Sequence, residues 1–174
     1  YTLSGGTFVS TRPVYVGGVT TNDLGYTPTG IFYTSNSIGT LRVDGGSFAV
    51  TNAALYLGRY GTGTLILGSN GVCSAKDIVL SSNTQSNVRF EFGANSAGTL
   101  TALGSLTISA GSKLEVDSTA YRGSAVLTKL VDCSTRTNAF APENITVTGR
   151  GIVRQDRDED IWLYIKPGTI ILVN

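Results

Sequence analysis

The sequence predicts an all-β fold, a parallel β-solenoid with a C-terminal β cap, on three observations. The first is a repeat. Gly39 to Val50 reads GTLRVDGGSFAV and Gly63 to Val72 reads GTLILGSNGV, each opening with Gly-Thr-Leu and turning on glycine. Thr2-Leu3 and Thr99-Leu100 open related text, giving four units. A sandwich has no need of near-identical units, whereas a solenoid stacks like on like. The second observation is alternation. Leu41, Val43, Phe48, Val50, Leu55 and Leu57 keep the period of two that marks strands with one buried face. The third is composition: 22 glycines and only 14% charged residues, against roughly 25% charged in an average chain, suit a turn-dense β protein.

Taken in order, the first unit carries Phe8, Val14 and Val16, the second Phe48, Leu55 and Leu57, and the third Leu65, Leu67, Ile78 and Leu80. Stacking coils about 4.8 Å apart places Phe8 over Phe48, and Val14/Val16 over Leu55/Leu57 over Ile78/Leu80. Glycines fall at coil corners, where a positive φ is often needed. Gly98 follows Gly63 at a longer spacing than Gly63 follows Gly39, which reads as an insertion or an extra half-turn. The alternation continues in Leu106/Ile108 and Leu114/Val116. Beyond Gly111 the repeat stops and most of the charge collects, with strands expected at Ala125 to Val131, Ile145 to Thr148 and Ile161 to Ile165. The expected division is a solenoid of five to seven coils over residues 1–116 and a β cap over 117–174. A cap is needed because an end coil exposes unpaired backbone groups.

GTLRVDGGSFAVTNAALYLG and GRYGTGTLILGSNGVCSAKDIVL resemble the β-strand repeats of bacterial autotransporter-type passengers and of PEP-CTERM-associated surface proteins. SLTISAGSKLEVDSTAYRG is similar to the closing region of such passengers. The resemblance covers about two thirds of the chain. It implies a right-handed parallel β-helix, exported to the cell surface as a stalk, adhesin or structural element, with no catalytic residues to carry over.

Composition narrows the functional classes. A net charge of +1 and the absence of any Lys/Arg run leave no electrostatic footprint for nucleic acid or anionic lipid. No apolar stretch reaches the roughly 20 residues of a membrane span. The chain has no methionine, which fits either removal of a signal peptide or excision from something larger; the first of these fits export. Two cysteines, Cys73 and Cys133, without histidine or a CxxC motif, argue against zinc and permit one long-range disulfide; two separate buried thiols are the other reading.

Catalysis is not expected. Asp44 and Asp77 do not share a ladder, no histidine exists, and no nucleophile motif occurs. No cofactor or metal is expected; the run Asp156 to Asp160 alternates carboxylates but lacks the glycine and distal glutamate of an EF-hand loop. Asn144-Ile145-Thr146 fits a glycosylation sequon by pattern only. Tyr15 and Tyr56, flanked by inward aliphatics, point outward as sugar platforms, interface anchors or ordinary strand residues. The expected role is an extracellular structural subunit that associates with itself in a surface layer or filament. Its candidate contacts are Tyr1, Leu3, Tyr15, Tyr56 and the tail residues Ile170, Ile171, Leu172 and Val173. The alternative is a monomeric adhesin or carbohydrate-binding module; a polysaccharide-cleaving β-helix is the third.

Overall fold

The computed structural model describes residues 1–18, 37–81, 85–123, 127–155 and 159–165. The chain is a parallel β-solenoid of about four turns. Its first coil holds β1 (Thr2–Leu3), β2 (Thr7–Ser10) and β3 (Val14–Val16), one strand on each of three faces, A, B and C. The second coil is β4 (Ile38–Leu57), the third β5 (Thr62–Leu80), each running through all three faces. The fourth is β6 (Ser86–Glu91) on face A and β7 (Thr99–Ile108) on faces B and C. Then come β8 (Lys113–Asp117) on face A, β9 (Leu127–Thr137) on faces B and C, and β10 (Ile145–Thr148) on face A, all still parallel to the coil beneath.

Period-two sequence becomes continuous ladders inside the stack. On face A, Leu41, Leu65, Val88 and Leu114 align, beside Val43, Leu67, Phe90 and Val116. On face B the ladder is Phe8, Phe48, Cys73, Leu100 and Val131. On face C, Val14, Leu55, Ile78 and Leu106 align beside Val16, Leu57, Leu80 and Ile108. Every predicted rung over these residues is in register. Leu55, Leu57, Leu65, Leu67, Ile78 and Leu80 are fully buried, whereas Phe8, on the end rung, is half-buried.

Four expectations need correction. Gly63 pairs with Ser86, while Thr99 pairs with Val72, so Gly98-Thr99-Leu100 follows a different corner from the other units and the long spacing is not an insertion. Leu3 pairs with Val43 instead of Leu41. The described strands wind about four turns, against the five to seven coils expected. Parallel pairing also continues past residue 116, through β9 and β10 to Thr148.

The cap is an antiparallel hairpin. β12 (Ile161–Tyr164) pairs antiparallel with β9, and β11 (Ile152–Arg154) pairs antiparallel with β12. Ile161, Leu163 and Ile165 are buried with Leu130, Val131 and Phe140. Gln155 substitutes for a strand neighbour: its Oε1 accepts the Phe140 N–H at 2.8 Å and its Nε2 donates to the Phe140 carbonyl at 3.0 Å.

Candidate functional site

The two ends of the stack differ. At the N-terminal end, among the described residues, β1, β2 and β3 each pair on one side only, with β4. Between them opens an apolar mouth of about 420 Å³, lined by Tyr1, Phe8, Val14, Val16, Leu41 and Phe48 among others, with no charged side chain among the described residues of its wall. Large apolar side chains are exposed around it: Ile38 is 81%, Tyr1 66% and Val9 57% accessible. The Phe8 and Phe48 rings stack at 4.6 Å and 9°. Tyr1 lies 5.9 Å from Phe8 and 6.5 Å from Phe48 at tilted angles, so it sits beside the pile. Its amino group donates to the Thr40 carbonyl at 2.8 Å.

Of the residues expected at an assembly contact, Tyr1 and Tyr15 line this mouth. Leu3 is buried inside the first coil, and Tyr56 lies one rung further in. Ile170, Ile171, Leu172 and Val173 lie outside the described residues, as do Asp156 and Asp158. Sequence reading missed Ile38 and the edge role of Phe8 and Val9, since nothing in the letters separates an end coil from a middle one.

The outward tyrosines form a ladder of their own. Tyr15 stacks on Tyr56 at 5.0 Å and 7°, and the Arg59 guanidinium lies 4.5 Å from the Tyr56 ring centre. Tyr56 therefore contacts both an aromatic ring and a cation. A sugar platform needs an open aromatic face, and these contacts occupy part of the Tyr56 ring.

Charge gathers on the outside of face A. Arg42 binds Asp44 at 2.8 Å and reaches across the rung of Ile66 to Glu91 at 2.7 Å. Arg89 stands between Glu91 at 3.0 Å, Glu115 at 3.7 Å and Asp117 at 3.7 Å. The Asp44 and Glu91 hydrogen bonds raise the Arg42 guanidinium above its ordinary value, and the Thr119 hydroxyl and N–H hold Asp117 below the usual carboxylate range. Asp77 sits elsewhere, at a corner, accepting from the Ser105 N–H and hydroxyl. Among the described residues no group of three His, Cys, Asp or Glu is arranged to hold a metal. Side chains this exposed give ion pairs worth about 0 to 1 kcal/mol each, so the network smooths the face more than it stabilises the fold.

The possible disulfide between Cys73 and Cys133 is corrected: both thiols are free and buried. Cys73 aligns with Leu100 and then Val131, whereas Cys133 aligns with Ala102 and then Ala75. They stand two rungs apart, about 10 Å, and two residues out of register, beyond the roughly 7 Å Cα limit for a bridge. Burial pushes the Cys73 thiol up to about 12 and the Cys133 thiol up to about 11.

At the capped end, the two described acids of the acidic run hold backbone N–H groups and Lys129. Asp160 accepts the Cys133 N–H at 3.1 Å and the Lys129 ammonium at 2.7 Å. Glu159 accepts the Arg136 N–H at 2.7 Å. Burial raises the Asp160 carboxyl, but Lys129 and the Cys133 N–H outweigh it, and the group titrates below its ordinary value. A carboxylate depressed in the folded state stabilises above its unfolded value, about 3.9, and that contribution is lost as pH falls through the folded value. The melting midpoint is expected to drop between pH 5 and pH 2.5, and less steeply in Asp160→Asn, which starts lower at pH 7. Equal acid slopes in the two proteins would rule this latch out.

The chain matches no protein-family model, no curated protein and no solved structure.

Proposed function

We propose that this chain is an extracellular structural solenoid that works by associating with copies of itself. The observation that carries the reading is the first coil: three strand edges, unpaired among the described residues, surround an apolar mouth of about 420 Å³. Unpaired edges recruit further strands unless charge, proline or a covering element blocks them. Arg12 and Pro13 are the only such residues between Tyr1 and Gly18, and both lie at the bend between β2 and β3. The resemblance of the repeats to surface passengers supports export, and the contacts of Tyr56 with Tyr15 and Arg59, which occupy part of its ring, weigh against the carbohydrate-binding alternative. The arginine-paired carboxylates on face A support a structural rather than a polysaccharide-cleaving role. Sedimentation equilibrium of the 174-residue chain tests the proposal. The mass should rise above 18.2 kDa with concentration; a single-chain mass up to millimolar protein would overturn it.

A further inference from the structure

We infer that the edge of β9 on faces B and C is built as a stop, with Arg136, Glu159 and Asp160 closing it against a further strand from a second copy. The stop goes beyond the self-association proposed above and holds whether or not the chain associates by its first coil.

Among the described residues, β9 is the last parallel strand on these two faces. Its first half, up to Val131, is covered by β12, and that pairing runs out at Ile161, where the register shifts. Beyond Val131 the backbone N–H groups that turn away from β7 are spent on side chains. The Asp160 carboxylate accepts the Cys133 N–H at 3.1 Å, and the Glu159 carboxylate accepts the Arg136 N–H at 2.7 Å. The Cys133 thiol donates to the Glu159 carbonyl at 3.0 Å. An ionised carboxylate fills the acceptor's place in a ladder but has no N–H with which to pass the pattern on. The ladder ends where it stands.

Charge makes this ending hard to displace. Asp160 is also held by the Lys129 ammonium at 2.7 Å, which reaches Asp132 at 3.2 Å and lies 5.0 Å from the Trp162 ring centre. A strand arriving on β9 has to expel these paired groups or bury them, and burying charge without new partners is costly. The column of side chains beneath carries the same signal. On face C the inward ladder of Val14, Leu55, Ile78 and Leu106 ends in Arg136, which pairs with Leu106. The Arg136 Nη1 donates to the Asp160 carbonyl at 3.0 Å. Where the next coil would need an apolar rung, it meets a guanidinium tied to the two acids. An inward-pointing charge is one of the means by which sheet edges refuse a further strand.

The unaltered chain gives the first test: the Cys133 and Arg136 amides should resist hydrogen exchange even in dilute protein, and fast exchange there would overturn the inference. The double variant Glu159→Ala/Asp160→Ala removes both acceptors. In sedimentation equilibrium it should associate roughly tenfold or more tightly than the unaltered chain, with both amides exchanging fast when dilute and slowly when concentrated. Asp132→Ala is the control, because Asp132 touches Lys129 but holds neither N–H, and it should associate as the unaltered chain does. Should the double variant not fold, Glu159→Ala alone leaves Asp160 on Lys129 and Cys133 and should show the gain with only the Arg136 amide released. A folded variant of either kind that associates no more tightly than the unaltered chain, or an equal gain in Asp132→Ala, would overturn the inference. An unaltered chain that stays single at every concentration would remove the self-association proposed above and leave the stop standing, since each variant is compared with that chain.

Discussion

Replacing Leu57 with alanine is expected to cost about 2 to 5 kcal/mol, through lost apolar contact and the cavity left behind. Leu57 is fully buried in the second coil, with Val16 on one side of its rung and Leu80 on the other. Coils repeat rigidly at the strand spacing, so the neighbours cannot close on the gap without breaking a ladder. For a chain of this size the midpoint should fall by roughly 4 to 20 °C. Val72→Ala, on the outer side of face B and 42% exposed, should change stability by no more than about 0.5 kcal/mol. A larger loss from Val72→Ala than from Leu57→Ala would mean that the inward and outward faces have been exchanged, since a one-residue slip inverts every side chain.

The second large effect is expected at a corner. Gly6, Gly46, Gly71 and Gly98 stack at the turn between faces A and B, each just before the residues that enter face B. Gly46 has φ of +77°, and a Cβ there would run into the Gly6 carbonyl oxygen and the backbone of Gly5. Gly46→Ala therefore combines a left-handed penalty of about 1 to 2 kcal/mol with overpacking of about 1 to 3 kcal/mol. Gly111 separates the two causes: φ is +82°, but nothing lies within 4 Å of the added carbon. Gly111→Ala should show the first penalty alone, and Gly5→Ala, with neither problem, should be nearly neutral. Denaturant midpoints that rank the three variants in any other order would contradict the corner assignment.

These two sites also show what the sequence made legible. Inward positions are written as alternating aliphatics, and a single stack satisfies them, so the ladders through Phe48, Leu55 and Ile78 follow from spacing alone. Corners are less readable. Any turn into a strand wants glycine first, so the same Gly-Thr-Leu letters serve at Gly39, where face A begins, and at Gly98, where face B begins. The Arg42–Glu91 contact was invisible because it spans 49 residues and two rungs, and only the register brings them together. The cysteines failed for the same reason: chain separation says nothing about which rung a thiol occupies. The cap was legible as a loss of repeat and a gain of charge, but its antiparallel turn through β12 was not.

At the candidate site, the letters supplied Tyr1 and Tyr15 but not Phe8, Val9 or Ile38. Edge status is a property of the stack. Phe8 and Phe48 occupy equivalent positions in their units, and only the rung beyond distinguishes them.

Amide hydrogen exchange at Thr7 and Val9, followed as protein concentration rises, tests the central claim most directly. Both backbone groups face the open side of β2, so the account predicts fast exchange in dilute protein and strong protection in concentrated protein, while amides in β5 stay protected throughout. Exchange at Thr7 and Val9 that remains fast at every concentration would contradict it.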